Sequence, residues 1–156
     1  MGPMNKISGV LVFTLDEQRY GLELPVVERV FPMVEVTPLP KSPDIVLGII
    51  NVRGSLVPVF DIRRRFGCSE RECGISDQLI LASTKKRRVA LPVDTVQGVV
   101  EPASKPVDAG EILPDLPYIQ GVVKLPDGLV LIHDLDTFLS LDEETALNVA
   151  LPGGGI

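Results

Sequence analysis

The sequence predicts an all-β protein, two small five-stranded β-barrels packed against one another, and three observations predict it. The apolar residues, 45% of the chain, are mostly Val, Ile and Leu in short runs, as half-buried strands require. Fourteen Gly and fourteen Pro break up those runs and leave little room for long helices. Most telling, the stretch from Gly48 to Phe66 recurs without a gap 73 residues later, from Gly121 to Leu139. Gly48/Gly121, Leu56/Leu129, Val57/Val130 and Asp61/Asp134 are identical pairs in it. Each copy reads as a Gly, a β-branched run, a turn, a second apolar run, an Asp and one helical turn. That is a hairpin followed by an element capped by a carboxylate, so Asp61 and Asp134 are expected as structural caps. Neither unit can bury a comfortable core alone, which calls for a shared apolar seam.

Taken in order, Gly9 to Leu15 and Tyr20 to Leu24 form a hairpin about the polar turn Asp16 to Arg19. Pro25 to Phe31 follows, with Val27 and Val30 three apart, which suits either a short helical turn or a bulged strand. Pro32, Pro38, Pro40 and Pro43 exclude a regular helix from the next stretch, an irregular connection with one short strand. The first repeat copy then gives strands Ile49 to Val52 and Leu56 to Phe60 around a tight turn at Gly54. Pro58 lacks an N–H, so its strand is expected at an edge or with a bulge. A polar loop from Gly67 to Asp77 marks the midpoint. The second half repeats the plan: Gln78 to Ser83, a turn at Lys85 to Arg88, Val89 to Val93, and Val96 and Val99 echoing Val27 and Val30. The four basic residues of that turn are expected to be solvated. A Pro-rich connection from Pro102 to Pro117 leads to the second copy, and a short helix, Asp142 to Leu151 with Asp142 as N-cap, ends the pattern. One domain over residues 9–150 is expected, with subdomains near 20–77 and 78–141 and the strand at 9–15 contributing to the shared core.

A net charge of −6 argues against nucleic-acid binding, which needs a basic face to neutralise phosphates. No apolar run approaches the ~20 residues that span a bilayer, and the start lacks the pattern of a secretion signal. Cys68 and Cys73 sit five apart in the midpoint loop, half of a zinc site at most, and read as reduced thiols. His133 is the lone histidine and aligns with Phe60, an apolar strand position, so a structural role is expected rather than that of a catalytic base. No nucleophile elbow, phosphate-cradling loop or His-Glu-x-x-His motif is present. The chain is therefore expected to be no enzyme and to need no cofactor or metal. The competing reading of another class is a metal protein using Cys68, Cys73 and His133.

What remains are surfaces, and the repeat points to one. Where the first copy has Asn51-Val-Arg53-Gly54, the second has Lys124-Leu-Pro126-Asp127. Shared positions serve the fold, so the unshared ones are candidates for a separate task. Arg53 at a turn tip offers a partner up to five donors in a fixed fork. Asn51 either shares that face or hydrogen-bonds the turn backbone.

The run Asn51-Val-Arg-Gly-Ser-Leu-Val-Pro-Val-Phe-Asp-Ile62 resembles the Asn-Leu-Arg-Gly-x-x-x-Pro-x-x-Asp-Leu signature of the CheW family of chemotaxis coupling proteins. Tyr20-Gly-Leu, Val93-Asp94-x-Val96 and Gly121-Val also fall where that family places them, and the likeness runs from about Gly9 to Leu141. The resemblance implies two intertwined SH3-like barrels and a non-enzymatic, cytoplasmic adaptor recruited to membrane-associated receptor arrays. Its implied partners are the regulatory domain of a CheA-type histidine kinase and the cytoplasmic tip of a chemoreceptor. It places partner contacts at Val27, Asn51, Arg53, Gly54 and Val99. An adaptor of a non-flagellar chemosensory pathway, in pilus motility or development, is the alternative within the same family.

Overall fold

The computed structural model describes residues 9–66, 68, 74–101, 107–108, 118–137 and 141–151. The chain is all-β, with strands β1 (Val10–Leu15), β2 (Gln18–Glu23), β3 (Val27–Pro32), β4 (Val46–Val52), β5 (Ser55–Phe60), β6 (Gln78–Ser83), β7 (Arg88–Val93), β8 (Thr95–Val100), β9 (Val107–Asp108), β10 (Ile119–Leu125) and β11 (Gly128–His133). Among the described residues two α-helices accompany them, α1 (Ile62–Arg65) and α2 (Leu141–Ala150). Between Leu15 and Leu24 the β1–β2 hairpin is as expected, tightened by Asp16 and Glu17, which both take positive φ. The ambiguous segment after it contains both alternatives in turn. Leu24–Val26 is one 3₁₀ turn started by Pro25, and β3 then pairs with β6 through a bulge between Val27 and Arg29.

The strands form two sheets, ordered β8-β1-β2-β11-β10-β9 and β3-β6-β7-β5-β4. Each draws strands from both sequence repeats, because β3 leaves β2 to pair with β6 while β8 leaves β7 to pair with β1. This exchange intertwines the two units. Side-chain alternation along each strand then supplies two faces per sheet. Leu11, Phe13, Leu15, Tyr20 and Leu22 of one sheet meet Ile80, Ala82, Val89, Leu91 and Val93 of the other in a single buried cluster, the shared seam. The opposite faces form separate clusters, Val10, Val12, Val123, Val130 and Ile132 in one sheet, and Ile50, Val57, Val59, Leu79, Leu81 and Ala90 in the other. Each fully buried Val or Leu contributes about 1.5–3 kcal/mol. Helix α2 plugs the seam with Leu147, which is fully buried.

The two repeat copies superpose as hydrogen-bonding patterns. Asp61 N donates to Ile45 O and Asp134 N to Tyr118 O, each at 2.7 Å and 73 residues apart. The β4–β5 ladder slips between Val46 and Gly48, the β10–β11 ladder between Ile119 and Gly121. In each copy the preceding connection covers the outer strand: Thr37 bridges Ile49, a single bridge where the Pro-rich stretch is expected to hold a short strand, and β9 pairs with Gly121 and Val122.

Several expectations are corrected. Pro58 lies in an interior strand, since β5 is flanked by β4 and β7; the parallel pairing to β7 is registered only at Val59↔Ala90, and the bulge falls on β4. Asp61 stands at the N-cap position of α1 but makes no side-chain cap bond; its shared role is the backbone bond to Ile45. Asp134 does cap, with Oδ1 accepting from Asp136 N at 3.0 Å ahead of a 3₁₀ turn over Leu135–Thr137. The last helix starts at Leu141, so Asp142 lies inside it rather than before it. The basic turn is exposed at Lys85 and Lys86, as expected, but its arginines are engaged: Arg87 bonds Glu144 and Asn148 of α2, with Lys86 also reaching Glu144, and Arg88 pairs with Glu28. Arg65 adds an ion pair to Glu143, so α2 is held by charge as well as by Leu147.

Candidate functional site

The two hairpin tips have the same length and different chemistry. In the first, both loop residues are left-handed, Arg53 at φ 51° and Gly54 at φ 89°, which is the type I′ geometry that matches strand twist. Glycine takes such angles freely, whereas an arginine there is unusual. Asn51 Oδ1 accepts the Gly54 N–H at 2.7 Å and closes the turn. Asn51, Arg53, Gly54, Ser55 and Leu56 are all exposed, and a Cβ placed on Gly54 would meet nothing within 4 Å. Among the described residues, no ion pair or hydrogen bond engages the Arg53 guanidinium.

In the second tip Pro126 fixes a negative φ, so a type I′ turn is impossible, and only Gly128 is positive, at 144°. That tip is tied down. Arg19 Nη1 lies 3.1 Å from Asp127 Oδ1, and a Cβ on Gly128 would approach Arg19 Nη2 to 2.7 Å. Arg19 stands two residues before Gly21, which pairs in parallel with Ile132. Arg88 holds the same place in the other sheet, two before Ala90, yet it turns to Glu28 instead. Hydrogen bonds from Ser83 and Arg88 keep the Glu28 carboxyl below its ordinary pKa.

Of the residues singled out in the sequence, the structure brings Asn51, Arg53 and Gly54 together in one turn. Val27 and Val99 are on β3 and β8, edge strands of opposite sheets. Val27 is half-buried against the seam, whereas Val99 is 53% exposed. Val99 lines an open groove of about 450 Å³ with Val12, Gly98, Leu125, Pro126 and Asp127. Sequence reasoning missed that groove, and also a second apolar one of about 590 Å³ between Met33, Val34, Val36, Leu47 and Ile75, the last 94% exposed. It missed as well that the shared Leu56 and Leu129 are exposed, at 46% and 52%. Two-residue alternation was the available signal, since the neighbouring Val57 and Val130 are buried.

His133 is buried at the end of β11, edge-on to Phe66 with ring centroids 4.9 Å apart, and burial lowers its pKa to about 3. Phe66 stacks in turn on Tyr20 at 4.6 Å, whose hydroxyl burial and Cys68 push up to about 12. Cys68 is half-buried, and burial raises its thiol. Cys73 lies outside the described residues. Among the described residues, no cluster of three or more His, Cys, Asp or Glu could hold a metal ion. Arg63 is buried with Asp16 at 2.8 Å and Asp94 beside it, joining α1 to both halves of the seam. No described helix is long and apolar enough to cross a membrane.

A CheW-like domain model matches residues 9–143. The chemotaxis protein CheW of Thermotoga maritima is 31% identical over 131 residues, 83% of this chain and 86% of that one. That of Rhizobium meliloti is 26% identical over 140 residues, 88% of this chain and 90% of the other. Among solved structures, the scaffolding protein TtCheW from Thermoanaerobacter tengcongensis superposes with a TM-score of 0.79 at 27% identity, over 90% of this chain and 96% of that one.

Proposed function

The chain belongs to the CheW-like family, and we propose that it couples chemoreceptor cytoplasmic tips to the regulatory domain of a CheA-type histidine kinase. It is a non-enzymatic adaptor, a scaffold of chemotaxis signalling. The proposed partner-binding surface is built from Val27, Asn51, Arg53, Gly54 and Val99, with residues 9–150 acting as one domain in the cytoplasm at receptor arrays.

The observation that supports this reading most is the first hairpin tip. It holds an arginine in an exposed left-handed turn that its repeat counterpart replaces by Pro126. A guanidinium there meets a carboxylate or carbonyl in two parallel bonds and fixes register, while Val99 and the half-buried Val27 offer apolar surface. The test is capture from the source cells, with the retained proteins identified by mass, comparing wild type with Arg53→Glu. Wild type should retain the kinase or the receptor, and charge reversal should cut retention of at least one by about tenfold or more. Equal retention by both proteins would remove Arg53 from the contact surface.

A further inference from the structure

We propose that Asn51 is a positioning residue, which acts on the partner only by holding Arg53 in its left-handed turn. This rests on the reading of Arg53 above and assigns its neighbour a different task. Three observations carry it. Arg53 adopts a backbone conformation at φ 51° that side chains with a Cβ rarely take, so something must hold it there. Asn51 supplies the hold, since its Oδ1 accepts the Gly54 N–H, a loop donor outside the Val52↔Ser55 ladder pair, at 2.7 Å. The second copy needs no such hold: Lys124 stands at the Asn51 place, and Pro126 at the Arg53 place sets its own φ. The asparagine therefore accompanies the arginine, not the hairpin.

A side chain whose acceptor is committed to the turn does its work before any partner arrives. Without it, the Arg53 backbone samples other conformations and the guanidinium is no longer aimed, so binding weakens through lost pre-organisation. The carboxamide differs in this from a direct contact, and a double-mutant cycle separates the two.

The cycle uses Asn51→Ala and Arg53→Ala singly and together, titrated against the purified kinase regulatory domain and receptor cytoplasmic fragment of the same organism. Asn51→Ala should weaken binding about fivefold in the wild-type background and not measurably in the Arg53→Ala background. In the free protein, Gly54 amide exchange should speed roughly five- to tenfold, as for loss of one hydrogen bond. Asn51→Asp keeps an acceptor oxygen and should restore slow Gly54 exchange, which also guards against a poorly folded Asn51→Ala. Additive losses in the cycle, unchanged Gly54 exchange, or failure of Asn51→Asp to restore slow exchange would each overturn the proposal. If Arg53→Ala alone binds like wild type, the contact reading of Arg53 fails and the positioning role in binding falls with it. Gly54 exchange then still decides, separately, whether Asn51 sets the turn.

Discussion

The β4–β5 and β10–β11 hairpins are one structure twice up to their tips and two structures beyond them. The slip in the ladder, the Asp backbone bond, the parallel neighbour and the covered outer strand all recur at equivalent hairpin residues. The tips do not. One is left-handed, closed by its own Asn51 and open to solvent; the other is a Pro-Asp turn anchored to β2 through Arg19. The shared features are backbone features, which many sequences satisfy. The divergent ones lie at the tip, in the handedness of the loop and in the side chains it presents. In this family member the two copies thus keep one frame and differ at the tip.

The comparison breaks most easily at its frame. A Cβ on Gly48 would lie 2.2 Å from Thr37 O, inside the bridge that covers β4, and Gly48 has φ 155°. Gly48→Ala should cost about 2–4 kcal/mol, seen as a lower urea midpoint. Gly54→Ala, with open space but φ 89°, should cost only about 1 kcal/mol. Losses of equal size would mean that the tip constrains the hairpin as much as the covered bulge does.

The next largest effect lies at His133, where the first copy has Phe60. Burial lowers the histidine from 6.5 to about 3, so the unfolded chain binds a proton that the native state refuses. This stability is complete above pH 6.5 and falls as pH drops toward 3, by about 1.4 kcal/mol per pH unit at the steepest. Between pH 6.5 and 5 the wild type should lose about 2 kcal/mol from this group. His133→Phe, which copies the first hairpin, should flatten the slope by that amount. An unchanged slope would show that His133 is protonated in the native protein.

How much of this was legible follows from the range of each interaction. Local patterns gave the hairpins and the first Pro-rich connection, and left open a helical turn or a bulged strand from Pro25 to Phe31, where the structure uses both, because turn chemistry and alternation act within a few residues; the second connection, Pro102 to Pro117, lies largely outside the described residues. Those patterns did not give the exchange of β3 and β8, since nothing in either strand names its partner across some fifty residues or more. They also placed Pro58 at an edge or a bulge, where a missing donor is cheapest, though a sparsely registered parallel neighbour accommodates it inside the sheet. Arg87 and Arg88 looked solvated because their partners, Glu144 and Asn148 for the first and Glu28 for the second, come from distant elements. For the site, the motif marked Asn51, Arg53 and Gly54. What each atom does there required the turn geometry.

The smallest effect sharpens the comparison most. Arg19 and Arg88 occupy equivalent strand places, yet Arg19 secures a hairpin tip and Arg88 secures β3. Asp127 is 76% exposed, so its ion pair is worth only about 0.5 kcal/mol, and the Arg88–Glu28 pair is of the same class. Arg19→Ala and Arg88→Ala should each lower stability by less than about 1 kcal/mol, and heat denaturation should barely distinguish them. Amide exchange should. Arg19→Ala is expected to speed exchange in the second tip around Asp127 and Gly128, whereas Arg88→Ala should leave Arg53 and Gly54 as they were. If Arg88→Ala loosened the first tip as well, both hairpins would share one anchoring device, and the independence of the Asn51 clasp would be lost.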